Sequence, residues 1–173
     1  MGKFTLILHP ITASKNTVAK FIGEFDCKID SKGRIALPSK LRNQFPDGTE
    51  QNLVINRGFE RCLVLYILDD WNQETEKLSV LNEFNREARK FIRQYNNGAN
   101  LVSLDNSSRL LIPKKLLDYA EIQDQVVLSA YGNKIEIWSE PNYRAEMEFD
   151  SDLFAGTAEK LLGKNRKEDA SDA

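Results

Sequence analysis

Histidine chemistry has almost nothing to work with in this chain. His9 is its single histidine, so a nucleophile-histidine triad or a zinc-water mechanism has almost nothing to be built from. Cysteine is nearly as scarce. Cys27 and Cys62 lie far apart, without C-x-x-C spacing, and both fall in apolar strand patterns, which reads as buried free thiols in a reducing compartment and not as a disulfide or a metal site. A long apolar run near the start is missing too: Phe4 to Leu8 is interrupted at His9-Pro10, so no signal sequence and no membrane partner are expected. Strong charge of one sign is absent. A net charge of −2 argues against indiscriminate binding to polyanions, so any nucleic-acid contact must come from a local patch. With no credible nucleophile-base pair, the reading is a cytoplasmic non-enzyme, with no cofactor and no small-molecule substrate.

What is present is a repeat. The stretch Asp30-Ser31-Lys32-Gly33-Arg34-Ile35-Ala36-Leu37-Pro38-Ser39-Lys40-Leu41-Arg42 returns, 75 positions later, as Asp105-Asn106-Ser107-Ser108-Arg109-Leu110-Leu111-Ile112-Pro113-Lys114-Lys115-Leu116-Leu117. Asp, Arg, Pro, Lys and Leu coincide at one offset, with three apolar residues between Arg and Pro in each copy. The basic patch lies in the same place. From Asp26 to Arg42, Lys28, Lys32, Arg34, Lys40 and Arg42 face only two acidic residues, a local charge of +3.

The local physics of the first copy follows from residue type. Phe25, Cys27 and Ile29 alternate with Asp26, Lys28 and Asp30, the period of a strand with one buried face. Asp30 can accept from backbone amides two residues on, and Gly33 supplies a positive φ, so Asp30 to Gly33 reads as a tight turn into a strand, Arg34 to Leu37. Pro38 then opens a short helix to Phe45. The unit is a hairpin running into a helix, with Lys32 and Arg34 at its tip. Strands are expected at Leu53 to Asn56 and Arg61 to Leu68, the second apolar enough to be buried on both faces. One helix, capped by Asp69 or Asp70, is expected to run to Tyr95 on the apolar steps Leu78, Leu81, Phe84, Ala88, Phe91, Ile92. Its Arg86, Arg89, Lys90 and Arg93 read first as a solvated face and second as phosphate contacts. The second copy replays the order: strands Leu101 to Leu104 and Arg109 to Ile112, a helix to Tyr119, a hairpin around Tyr131-Gly132-Asn133, and a helix from Pro141 to about Phe149. Trp138 and Tyr143 stand 72 positions after Tyr66 and Trp71.

Residues 30 to 42 resemble the D-x-K-G-R-(apolar)3-P-x-x-x-R signature of the MraZ family, and the resemblance extends over roughly 21 to 149. It implies an α+β, β-rich fold: two tandem AbrB-like swapped-hairpin repeats, residues 21 to 98 and 99 to 150, forming one pseudo-symmetric intertwined β-barrel with peripheral helices. Residues 1 to 20 would be a flexible extension and 151 to 173 a charged tail, disordered especially from Gly163 on. The resemblance also implies a nucleoid-associated transcriptional regulator that binds direct repeats in double-stranded DNA upstream of the division and cell-wall gene cluster, including its own promoter, as a ring-shaped homo-oligomer. The alternative is an antitoxin-like protein-interaction module with the same hairpin.

Within the motif, the expected DNA contacts are Lys32, Gly33, Arg34 and, more weakly, Arg109. Arg offers a planar fork to phosphate or to the O6/N7 edge of guanine, and Lys a flexible point charge. Asp30 and Asp105 are expected to orient the loops, because a carboxylate is repelled by phosphate. An Asp30–Arg34 pair that merely holds the turn is the competing reading. Lys28, Lys40, Arg42 and Lys115 are supporting cations. The second copy departs from the pattern at Ser108 in place of Gly33 and Leu117 in place of Arg42, and the serine is expected to give its loop a different geometry.

Overall fold

The computed structural model describes residues 20–148 and 150–163. Repeat one supplies β1 (Phe21–Lys28), β2 (Arg34–Ala36), α1 (Ser39–Arg42), β3 (Leu53–Arg57), β4 (Cys62–Ile67), α2 (Leu68–Glu76) and α3 (Arg86–Tyr95). Repeat two supplies β5 (Asn100–Val102), β6 (Arg109–Leu111), α4 (Lys114–Tyr119), β7 (Gln125–Gly132), β8 (Lys134–Ser139), α5 (Glu140–Met147) and α6 (Ser151–Leu162).

The repeats are paired through each other. A six-stranded antiparallel sheet runs β1-β7-β8-β4-β3-β5, and a separate two-stranded ribbon pairs β2 with β6. Exchanging corresponding strands of the two repeats reproduces the sheet order in reverse, so the sheet has a pseudo-twofold axis between β8 and β4. The expected hairpin is not the main pairing. β1 lies along β7 over its full length, and only the isolated bridge Ile29↔Ile35 links it to the β2 side. The physical reason is length: a three-residue β2 offers β1 little ladder, whereas β7 matches all of it. The expected closed barrel is also corrected. The sheet is open at β1 and β5, and single bridges, Ile29↔Ile35 and Leu104↔Leu110, are all that connect each edge to the ribbon.

Alternation along β4 explains how one strand serves two cores. All six of its residues are buried. Leu63, Leu65 and Ile67 face the main core, where Leu53, Ile55, Leu128 and Ile137 meet the inner face of the ribbon (Ile35, Leu110) and Leu41 and Leu116 of α1 and α4. Each such side chain contributes roughly 1.5–3 kcal/mol of transfer free energy. The opposite side of β4 packs under the later helices, Val64 and Tyr66 with Trp71, and Cys62 with Trp138 and Tyr143. The aromatic pairs separated by 72 positions are spatial counterparts, with ring centroids 5.7 Å apart for Tyr66–Trp71 and 6.0 Å for Trp138–Tyr143.

Three helical expectations need correction. The single long helix is two, because Asn85 accepts from the amides of Glu87 (2.7 Å) and Ala88 and caps a new helix there, while Asn82 accepts from Phe84 N in the break. The apolar steps through Leu78, Leu81 and Phe84 do not form a buried stripe, and Phe84 is 96% exposed. Neither Asp69 nor Asp70 is the cap of α2; both lie in its first turn, where their charge suits the helix dipole. Finally, residues 151–162, placed in the tail, form α6. The extension, Phe149 and the end of the tail lie outside the described residues.

Candidate nucleic-acid interface

The two motif copies converge on the β2–β6 ribbon. Arg34 pairs with Leu111, Ile35 with Leu110 and Ala36 with Arg109. Ile35 and Leu110 point inward and are fully buried, so Arg34, Ala36, Arg109 and Leu111 share the outer face. Arg34 and Arg109 are diagonal neighbours there, about 7–8 Å apart at Cα. Sequence spacing separated them by 75 positions; the cross-repeat ladder brings them together.

Each arginine leaves a loop built in the same way. Asp30 Oδ1 accepts from the amides of Lys32 (2.9 Å) and Arg34 (3.0 Å), and Oδ2 accepts from Arg34 Nε (2.8 Å) and lies 2.7 Å from Arg34 NH2. Asp105 repeats these contacts with Ser107 N, Arg109 N and Arg109 Nε, at 2.9, 2.9 and 2.8 Å. The side-chain bond from Arg34 is the chief cause that holds the Asp30 carboxyl down at about 2. Asp105 is also lowered, chiefly by the amide of Arg109. Both aspartates therefore clamp their loop and aim their arginine. The arginines stay partly accessible, with side chains 25% and 34% exposed.

The serine of the second copy does not change its loop. Ser108 takes φ 56° where Gly33 takes 79°, and each amide donates to the carbonyl of its Asp. The two departures from the repeat meet in space. A side chain at Gly33 would lie 3.3 Å from Leu117 Cδ1, and Arg42 NH1 donates to Ser108 Oγ at 3.0 Å. Each turn thus leans on the helix end of the other repeat: the glycine leaves room for leucine, and the serine gives the arginine an acceptor.

The remaining candidates divide. Lys32 is exposed at the first loop tip; Lys28, Lys40, Arg42 and Lys115 are exposed too, with Arg42 beside the second loop through its bond to Ser108. Lys114, which sequence reasoning passed over, lines a cleft of about 870 Å³ with Asp30, Lys32, Gly33 and Leu117. It takes the place of Ser39 in the repeat, so the pattern gave no signal for it. On α3, Arg89 NH1 donates to the carbonyls of Glu83 and Phe84 and closes the helix break, whereas Arg86, Lys90 and Arg93 are exposed. Burial pushes both thiols up, Cys27 to about 11 and Cys62 to about 12, which disfavours the thiolate form. Among the described residues no group of three or more His, Cys, Asp or Glu could hold a metal ion, and no helix is long and apolar enough to cross a membrane.

Comparison with known proteins places this geometry. The family described as "MraZ protein, putative antitoxin-like" matches residues 21–94 and again 96–164, the second match taking in α6. A transcriptional regulator MraZ from Cytophaga hutchinsonii is 43% identical over 148 residues, 86% of this chain and 98% of that protein. Proteins of the same name from Christiangramia forsetii and Clostridium acetobutylicum are 39% and 38% identical, over 83% and 82% of this chain and 94% and 96% of theirs.

Proposed function

Since the chain belongs to the MraZ family, we propose that it is a DNA-binding regulator of transcription that reads promoter direct repeats through the outer face of the β2–β6 ribbon. The observation that carries this reading is the pair Arg34 and Arg109, on one face of a two-stranded ribbon and each aimed by its own aspartate. A ribbon of this kind fits the major groove of B-DNA, where an arginine fork matches the guanine edge. Lys32, Lys114 and Lys115 would meet phosphates beside it, and the amides near Gly33 come close to the backbone. Asp30 and Asp105 act through the arginines and not on DNA.

Few cations per subunit face the duplex, so a lone subunit grips poorly. A ring of subunits on spaced repeats multiplies weak contacts without new chemistry. The operators would be those of the division and cell-wall cluster and of the protein's own gene, and the protein would act at the nucleoid in the cytoplasm, without catalysis or cofactor. One observation favours the antitoxin-like alternative: Leu153, Leu161 and Leu162 of α6 are 68%, 66% and 74% exposed, a surface suited to a protein partner. A stoichiometric second protein in a pull-down would support that alternative.

The test is titration of wild-type and Lys32→Ala protein onto promoter DNA carrying one, two or three repeats, at several salt concentrations. Affinity should climb with repeat number, and Lys32→Ala should lower the salt slope by about one unit for each engaged subunit. Equal affinity for repeat-bearing and scrambled DNA would refute the proposal.

A further inference from the structure

We infer that the cavity between α3, the Gly58–Glu60 loop and the outer side of β3, β4 and β8 is a binding site for a nucleotide, a ligand with a flat amine-bearing ring and an anionic group. It has a volume of about 620 Å³, within the range of small-molecule sites. Its walls are aromatic: Tyr66, Trp71, Phe91 and Tyr95 line it, with Trp71 and Tyr95 stacked at 5.9 Å and 18°. Such walls suit a planar ring.

The polar groups say which ring. Asn56 is 3% exposed, and its Nδ2 donates to Tyr95 O at 2.6 Å, but its Oδ1 is buried with no hydrogen-bond partner. A buried acceptor left open in this way calls for a donor, which an exocyclic amine provides. The next residue, Arg57, has a buried Nε without a partner and forms no ion pair among the described residues; its guanidinium lies 4.7 Å above the Tyr119 ring. Lys134 is on the wall too but pairs with Glu136 at 3.5 Å, and Glu60 also lines the cavity, so Arg57 is the cation left to meet a phosphate. The fold itself does not demand Asn56 and Arg57. The ladder registers set Leu53 opposite Ile67 and Val126 opposite Ser139, so repeat two carries Ser129 and Ala130 where repeat one carries Asn56 and Arg57.

The site is independent of the DNA face. Asn56 shares its side of the sheet with Val54, under α2 and α3, whereas the ribbon packs on the other side against Leu53 and Ile55. Failure of one reading therefore leaves the other standing.

Calorimetric titration of the full chain with AMP, GMP and CMP tests the inference. At least one should bind saturably, with a Kd at or below about 1 mM, and Asn56→Leu and Phe91→Ala should each weaken it about tenfold. Phe91 is 41% exposed and meets Tyr95 through its ring, whereas Asn56 bonds the Tyr95 backbone carbonyl, so Phe91→Ala removes a wall of the cavity without touching that bond directly. Arg34→Ala should leave nucleotide affinity unaltered. Absence of saturable binding by all three at about 5 mM overturns the inference. So does undiminished affinity in Phe91→Ala, or loss of binding in Arg34→Ala, which would put the nucleotide on the DNA face.

Discussion

Two guanidinium nitrogens of Arg34 are aimed at Asp30, so the arginine that would meet DNA is also the arginine that closes its loop. Because the folded carboxyl is held at about 2, below its ordinary 3.8, the clamp is fully present above pH 4 and is lost as pH falls toward 2. The amide resonances of Lys32 and Arg34 should report this, with a midpoint near 2; a midpoint near 3.8 would mean that the pair does not form in solution. Gly33 is the other residue without a free choice. Its φ of 79° and the proximity of Leu117 Cδ1 and Ile112 O, at 3.3 and 3.4 Å from any added Cβ, make Gly33→Ala costly. We expect a loss of about 1–2 kcal/mol in urea unfolding together with weaker DNA binding. Ser108 tolerates the same region of φ, and the Arg42 bond to its hydroxyl accompanies that choice. In sequence the glycine-to-serine and arginine-to-leucine departures look independent. They are coupled only because each loop packs on the opposite repeat, which no local pattern encodes.

Among elements, what could be read from sequence is what depends on near neighbours. The alternation in β1, the two-sided burial of β4, the helix starts at Pro38 and Pro113 and the correspondence of Tyr66–Trp71 with Trp138–Tyr143 were all accessible that way. Partner choice was not, because period two assigns a face and never a neighbour; β1 with β7 and β2 with β6 depend on ladder length across repeats. The helix break was missed for a different reason. Apolar steps of three and four run through residues 78–95, but Asn82 and Asn85 satisfy amides locally and restart the helix, a competition that periodicity does not weigh. Asn85→Ala should therefore fray α3, costing about 1 kcal/mol locally, and should speed exchange of the Glu87 and Ala88 amides while leaving the ribbon amides protected. Uniform acceleration across the chain would contradict this.

At the scale of the whole molecule, the cross-repeat ladder makes the two copies one folding unit. Residues 21–98 alone retain β1, β2 and β4 without β7, β6 and β8, so this fragment should not give a monomer that melts cooperatively; a sizing column and a thermal melt would decide. Pseudo-symmetry also places both arginines on one surface, and that surface carries the central claim. It is tested most directly by a gel shift of wild-type and Arg34→Ala protein on promoter DNA with intact repeats, run beside a sizing column and a melt. A lost base-reading arginine should cost about 1–3 kcal/mol at each engaged subunit, so Arg34→Ala should abolish the shift while assembly size stays unchanged and the melt moves only slightly. An Arg34→Ala protein that still shifts the operator like wild type would contradict the account.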